Sequence, residues 1–442
     1  MDIKNKKYLV VGLGKTGIET IRFMNDKNLD VRGSDISSAD KLPAEINDLY
    51  DSGVKFELGS HSDDYLNWCD EIVLSPGVSL NSPFISKAVG LNKKIISEIE
   101  LASRFIEQPI IAITGTNGKT TTTSLIGQIL SSSGYRVFIG GNIGTPLISI
   151  AGHSSDYDFI VLETSSFQLQ AIDKFKPFIS VFLNISPNHL DHHKDFSEYL
   201  ISKTNIFRNQ TEDDWAIINT TDQLIKNHVS GIKARTILFG KNESNNLSVT
   251  GNNLISFRNE LFNLNGLKLK GDHNLENAMC AVAVAKLTGC ENETIEDTIK
   301  NFEPLPHRIE YIGNHLGLDV YNDSKSTSPD ATLKAMDSIS PPIILLAGGK
   351  DKGTDYSVLK TSINKKVKHL ILFGEAKTSI KDQIGDSVCT TIANDLEEAV
   401  KTAFSISSEN DTLLFSPACS SFDMFKSYEE RGEEFKKIVE NI

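Results

Sequence analysis

One run, Ile111-Ala112-Ile113-Thr114-Gly115-Thr116-Asn117-Gly118-Lys119-Thr120, limits the possible folds of this chain more than any other. A strand-sized apolar stretch feeds a glycine-containing loop, and Lys-Thr then opens a helical stretch that Gly134 stops. A short buried strand, a turn and a helix packing back on the sheet satisfy that order, as in the parallel layers of α/β proteins. The layout aims backbone N–H groups and a helix N-terminus at phosphate oxygens. In it, Lys119 reaches the β- and γ-phosphates and the Thr120 hydroxyl binds Mg²⁺. Ile113 stands where the general P-loop pattern has glycine, and the plain alternative is a strand–turn–helix joint with incidental glycines.

The alternation of short β-branched runs with helical patterns continues nearly throughout, which predicts parallel sheets with crossover helices. A chain of 442 residues has room for roughly three domains. Proline-marked breaks at Glu107-Gln108-Pro109 and Pro304-Leu305-Pro306 divide it into 1–108, 109–309 and 310–442. The expected fold is α/β, with three domains in series. Strands are predicted at Lys7–Val11, Asp30–Gly33 and Glu71–Leu74, then at Pro109–Thr114, Asp158–Glu163, Phe178–Ile185 and Trp215–Asn219. The last section adds Ile343–Leu346, His369–Phe373 and Thr412–Phe415. Residues 247–269 alternate like antiparallel hairpins. The alanine-rich run from His273 to Leu287 predicts a helix that Asp272 caps.

Composition removes several classes of function. The formal net charge of −13 argues against a nucleic-acid partner, because a phosphate backbone demands a basic face. No apolar run approaches the ~20 residues of a membrane helix, so no membrane insertion is expected. The start MDIKNKKYLVVG has no apolar signal core, and the five cysteines are scattered without CxxC pairing. A reducing cytoplasm is the expected location.

Further polar residues stand at predicted strand ends. Glu163 ends the strand beside the phosphate loop, where a magnesium ligand belongs. Ser186-Pro187-Asn188-His189-Leu190-Asp191-His192-His193 follows the next strand. Its three histidines lack a fourth zinc ligand, so His189 reads better as a second-metal or phosphate contact. By pattern alone Lys203 is an exposed helical lysine. Gly12-Leu13-Gly14-Lys15-Thr16-Gly17, with Asp35 after the second strand, formally meets the dinucleotide fingerprint. The section is short for a six-stranded dinucleotide domain, and a nucleotide diphosphate is the more economical ligand. In the third section, Asn322-Asp323-Ser324-Lys325-Ser326-Thr327, Gly348-Gly349-Lys350-Asp351-Lys352-Gly353 and Ser416-Pro417-Ala418-Cys419-Ser420-Ser421 suggest a cleft for an anion.

Taken together, Gly115–Thr120, Glu163, His189, His273-Asn274 and Leu305-Pro306-His307-Arg308 resemble the Mur ligase family of peptidoglycan synthesis. The first-domain turn, Glu163-Thr164-Ser165-Ser166-Phe167-Gln168-Leu169, and the stretch from Ser416 through Tyr428-Glu429-Glu430-Arg431-Gly432 are similar to the branch that adds D-glutamate. The resemblance covers all three sections in order. It implies an N-terminal Rossmann-like domain for the nucleotide sugar, a central P-loop ATPase domain and a C-terminal Rossmann-like domain for the amino acid. It implies ATP on Gly115, Thr116, Asn117, Gly118, Lys119, Thr120 and Thr121, with Asn274 on the adenine side and Arg308 and Asp323 on the remainder.

Two Mg²⁺ ions are implied at Thr120, Glu163, His189 and Lys203. The last is a carbamate in the family, which reverses the exposed-lysine reading. The implied substrates are UDP-N-acetylmuramoyl-L-alanine along Gly14, Lys15, Thr16, Ser75, Gly77 and Asn142, and D-glutamate near Lys325, Thr327, Lys352, Ser421 and Tyr428. Ser165 belongs to the substrate set, Lys119, His189, Lys203 and Lys325 to the catalytic one, and a monomer is expected. Two positions depart from the family pattern. Asn188 stands where relatives commonly carry Asp, and Ile36-Ser37 where a Thr-Arg pair can serve uracil.

The implied reaction activates a carboxylate as an acyl phosphate, which the amino-acid amine then attacks. Keeping water from that intermediate implies closure of the third domain over the second. Rival readings are a ligase for another amino acid, including folate-polyglutamate relatives, a nucleotide-binding regulator without turnover, and an NAD-linked oxidoreductase.

Overall fold

The computed structural model describes residues 3, 5–188, 192–240, 246–250, 254–265, 267–268, 271–303, 306–351, 353–384, 387–409 and 411–442. His189, Leu305 and Lys352 lie outside the described residues. Contacts divide the chain into two compact units. One comprises 1–265 with 276–300, and the other 266–275 with 301–442.

The first unit holds two sheets. In the N-terminal sheet, β1 (Lys7–Val11), β2 (Asp30–Asp35), β3 (Lys55–Leu58), β4 (Glu71–Leu74) and β5 (Lys94–Ser97) are parallel in the order β3-β2-β1-β4-β5. The continuous apolar run of β1 follows from burial on both faces. Tyr8 and Val10 join a core with Ile18, Ile21 and Met24 of the helix Lys15–Asp26, while Leu9 and Val11 pack with Leu66, Ile72 and Ile85 on the other side. Each such fully buried side chain contributes about 1.5–3 kcal/mol. That helix starts at Lys15, inside the glycine fingerprint. Gly17 then lies inside the first turn, where a Cβ would collide with the Gly12 carbonyl. Five strands, not six, fit the reading of this section as too small for a complete dinucleotide fold.

The central sheet contains β6 (Ile110–Thr114), β7 (Val137–Gly141), β8 (Phe159–Glu163), β9 (Ile179–Phe182), β10 (Trp215–Asn219), β11 (Arg235–Gly240), β12 (Leu247–Thr250), β13 (Leu254–Phe257) and β14 (Glu260–Asn263). Their order is β14-β13-β12-β11-β10-β9-β6-β8-β7, antiparallel only in the hairpins β12-β13-β14. The strand predicted over Phe178–Ile185 pairs in this ladder only across Ile179–Phe182. Beyond it the backbone turns to the glycine loop, with Leu183 N–H donating to Thr114 O (3.0 Å) and Thr116 N–H to Asn184 O (3.0 Å).

In the second unit, β15 (Glu310–His315), β16 (Leu318–Asn322), β17 (Ile343–Gly348), β18 (Val367–Phe373), β19 (Cys389–Ile392) and β20 (Thr412–Phe415) form the order β15-β16-β20-β17-β18-β19. Only β15 runs antiparallel to its neighbour. Cores cover both faces, one around Leu345, Leu370 and Leu414, the other around Leu346, Ile371 and Phe415. No helix among the described residues is long and apolar enough to cross a membrane.

Candidate active site

The strand order of the central sheet reverses at β6, which lies between β9 and β8. Ligand clefts in open α/β sheets form at the carboxyl ends of strands beside such a reversal. The loop 115–118 leaves β6 here and enters the helix Lys119–Ser132 through Gly118, which is left-handed at φ 83°. A side chain at 118 would also strike Asn277 Oδ1. No side chain caps this helix, so its first N–H groups stay directed at the cleft.

The loop is braced from outside. Asn184 accepts from Asn117 N–H (2.9 Å) and donates to Asn117 O (3.0 Å). Thr116 Oγ1 meets Ser186 N–H (3.0 Å) and the Tyr199 hydroxyl (3.1 Å). Thr121 Oγ1 is buried with no hydrogen-bond partner among the described residues.

Two cations converge on one carbonyl. Lys119 Nζ donates to Gly115 O (3.0 Å) and Thr116 O (2.9 Å), and Lys203 Nζ donates to Gly115 O (2.8 Å). Lys203 lies in the helix Phe196–Thr204 and is 2% exposed, which corrects the reading of an exposed helical lysine. Its helix is capped by Asp195, and the Tyr199 ring one turn earlier lies 4.9 Å from the ammonium. Burial, then the neighbouring Lys119 ammonium, push Lys203 well below the ordinary lysine range, against the opposing pull of Glu163.

Glu163 stands at the end of β8 and accepts from the Thr120 hydroxyl at 2.8 Å and from the Asn142 amide at 2.9 Å. A hydroxyl and a carboxylate adjacent at a helix start are hard oxygen donors of the kind that Mg²⁺ selects. Ser165 is engaged in a capping box with Gln168. Sequence reasoning passed over His193, which is buried against Phe167 and bonded to Ser166 Oγ at 2.9 Å. Its signal was only the histidine cluster after β9. Asn184 and Tyr199 gave none, because their roles depend on distant partners.

The reversal at β1 in the N-terminal sheet opens a cavity of about 910 Å³, and Gly14, Lys15, Thr16, Ser75, Gly77 and Asn142 all line it. Lys15 Nζ donates to Gly144 O at 2.9 Å, and Ser75 Oγ to Gly12 O at 2.6 Å. Asp35, the acid of the fingerprint, accepts from Leu13 N–H (2.6 Å) and Ser37 N–H (2.7 Å), one with each oxygen. Those bonds fix the turn and leave each carboxylate oxygen a further acceptor site at the cavity, which Asp35 lines. Ile36 is 73% exposed at this rim.

In the second unit, the predicted residues gather at the ends of β16 and β20. Lys325 Nζ donates to the Tyr428 hydroxyl at 2.9 Å. Asp323 is buried, accepting from Ser416 Oγ (2.7 Å) and Ile309 N–H (3.2 Å), and burial raises its carboxyl to about 6. Arg431, also fully buried, donates to Ser324 Oγ (3.0 Å), Ser324 O (2.7 Å) and Cys419 O (3.0 Å), tying the two loops together. Ser421 is buried on one of these loops, Thr327 is exposed beside the other, and Asn274 is buried with its N–H on Gly271 O. Arg308 lies in the turn before β15, between His307 and Ile309, which both have positive φ.

Three family models match in series. They are the Mur ligase MurD-like N-terminal domain over 6–97, the Mur ligase middle domain over 113–285 and the Mur ligase glutamate ligase domain over 307–419. The chain belongs to the Mur ligase family. Curated relatives named UDP-N-acetylmuramoylalanine--D-glutamate ligase are similar along the full length. That of Citrifermentans bemidjiense is 40% identical over 99% of this chain and 98% of its own. That of Clostridioides difficile is 40% identical over 100% of both chains. Among solved structures, the MurF ligase of Thermotoga maritima in complex with ADP has a TM-score of 0.65 at 16% identity, covering 100% of this chain and 99% of its own. A pseudomurein peptide ligase type C from Methanothermus fervidus has a TM-score of 0.63 at 20% identity, over 99% and 100%. These two establish the Mur ligase fold of the chain.

Proposed function

We propose that this chain is an ATP-dependent amide ligase that joins D-glutamate to the L-alanyl carboxylate of UDP-N-acetylmuramoyl-L-alanine in cytoplasmic peptidoglycan precursor synthesis. The observation that carries the reading is the convergence of Lys119, Thr120, Glu163 and Lys203 on one uncapped helix start. Full-length relatives at about 40% identity, named for this reaction, support the choice of amino acid.

A carboxylate is a poor acyl donor, because its oxygen is a poor leaving group. The substrate carboxylate attacks the γ-phosphorus of ATP, the bond to the bridging oxygen breaks, and ADP leaves an acyl phosphate. The D-glutamate amine adds to the acyl carbon, loses a proton, and phosphate departs as the amide forms. Lys119 and the uncapped N–H groups of its helix hold the phosphates and stabilise the charge that develops during transfer. Mg²⁺, held by the Thr120 hydroxyl and Glu163 and by His189 in the family pattern, supplies charge neutralisation at the phosphates.

Lys203 fits a carbamate. Only the free-base amine adds CO₂, releasing a proton, and burial beside Lys119 favours that neutral form. The product is an anion, which suits a cation cleft where an ammonium does not. The cavity at the N-terminal turn takes the uridine diphosphate sugar, and Lys325, Thr327, Ser421 and Tyr428, with Lys352, surround D-glutamate. Asn274, Arg308 and Asp323 serve the nucleotide.

The test is phosphate release from ATP with UDP-N-acetylmuramoyl-L-alanine and each of D-glutamate, L-glutamate, L-lysine and meso-diaminopimelate. Release is expected with D-glutamate. Equal release with another amino acid rejects the choice of substrate, and none with any of them rejects the ligase reading.

A further inference from the structure

Asn142 belongs to two sites at once. It lines the cavity at the N-terminal turn, and its amide reaches Glu163 Oε1 at 2.9 Å. An ionised carboxylate only accepts, so the group facing Glu163 is the NH₂ end of the amide. That NH₂ has two N–H groups, and Glu163 takes one of them. The second oxygen of Glu163 accepts from Thr120, the first hydroxyl of the phosphate-loop helix. A chain of side chains therefore runs from the cavity through Asn142 and Glu163 to Thr120.

The backbone holds this chain in register. Asn142 N–H donates to Glu163 O (2.9 Å), and Gly141 N–H to Thr145 O (2.8 Å), closing a tight turn. Lys15, another cavity residue, reaches the same turn through Gly144 O.

We infer that Asn142 is a positioning residue that couples occupancy of the nucleotide-sugar cavity to nucleotide binding at the phosphate loop. The inference rests on the ligase reading above. A sugar diphosphate is rich in acceptors, and one of them takes the second Asn142 N–H. Both N–H groups of the amide are then engaged, and Glu163 is held with it. Nucleotide and cation meet a carboxylate already ordered, so the two ligands favour each other. Linkage makes the effect reciprocal.

Calorimetry on the full chain tests this. The magnesium complex of a non-hydrolysable ATP analogue is titrated with and without saturating UDP-N-acetylmuramoyl-L-alanine. The native chain should bind the analogue about five-fold or more tightly when the sugar nucleotide is present. Asn142→Ala should bind the nucleotide analogue alone as the native chain does, bind the sugar nucleotide more weakly for the lost N–H, and lose the enhancement at saturating sugar nucleotide. Asn142 is exposed, so its truncation leaves the core untouched. Asn142→Leu keeps a similar size without the N–H donors or a new charge and should lose the enhancement too, which separates hydrogen bonding from packing. Retention of the native enhancement in either variant overturns the inference. Independent binding of both ligands to the native chain overturns it while leaving the ligase reading in place. Failure of the native chain to bind the sugar nucleotide at all overturns both.

Discussion

The N-terminal turn Gly12–Gly17 and the central loop Gly115–Thr120 are built on the same plan. In each, a buried parallel strand ends at the reversal point of its sheet, and a glycine passes the chain into a helix without a side-chain cap. They differ in what surrounds the helix start. The central loop has a hydroxyl bonded to a buried carboxylate, and two lysines, one of them buried, that share the Gly115 carbonyl. The N-terminal turn has one exposed lysine, and its acid braces backbone N–H groups. On the proposed reading the shared backbone device serves a phosphate in either place. Only the dense, buried set of charges suits moving one.

Substitutions can break or sharpen that contrast. Lys119→Ala should lower kcat by on the order of 100-fold or more while sugar-nucleotide binding measured by calorimetry stays near native. Near-normal turnover at saturating ATP would put the chemistry elsewhere. Lys203→Arg should fail almost as completely, since guanidinium keeps the charge but forms no carbamate. Lys203→Ala should regain part of its activity with added acetate or formate, and an active Arg variant would mean that positive charge alone suffices.

A smaller effect is expected at the other loop. Lys15→Ala should raise KM for the sugar nucleotide roughly ten-fold with little change in kcat, as loss of uniform binding requires. Because the sheet of that loop has five strands and falls short of a complete dinucleotide fold, NAD should show no measurable heat of binding, and micromolar affinity for it would erase the distinction between the loops.

The smallest effect concerns the seam between them. Glu98, fully buried, accepts from Ile148 N–H at 2.6 Å, and burial raises its carboxyl to about 7. An unfolded glutamate ionises near 4.3. Between those values the folded chain holds a proton that the unfolded chain has released, so stability falls as pH rises through that window. Glu98→Gln should remove the dependence and gain on the order of 1 kcal/mol above pH 7, ~1–2 °C in Tm for a chain of this size. A variant that loses stability in parallel with the native chain would assign the slope to other groups.

Buried interior strands were legible in the sequence because they are covered on both faces and mostly apolar. Lys7–Val11, Glu71–Leu74, Trp215–Asn219 and Thr412–Phe415 occupy their predicted bounds. Lys55–Leu58, Lys94–Ser97 and Cys389–Ile392 went unread, since they are four-residue edge strands with mixed polarity that pairing alone makes regular. The glycine loops and the residue types at strand ends could also be named in advance, because local chemistry dictates them.

What the sequence by itself determined, then, is the α/β alternation, the two phosphate-loop plans and the family resemblance, all of which depend on spacing and local geometry. Tertiary structure alone decided that Lys203 is buried against Gly115 from 88 residues away, that Asp35 braces its own turn, and that Asn142 joins the cavity to Glu163. Burial and long-range hydrogen bonds set the charge and partners of those groups, and neither quantity is a property of neighbouring residues in the chain.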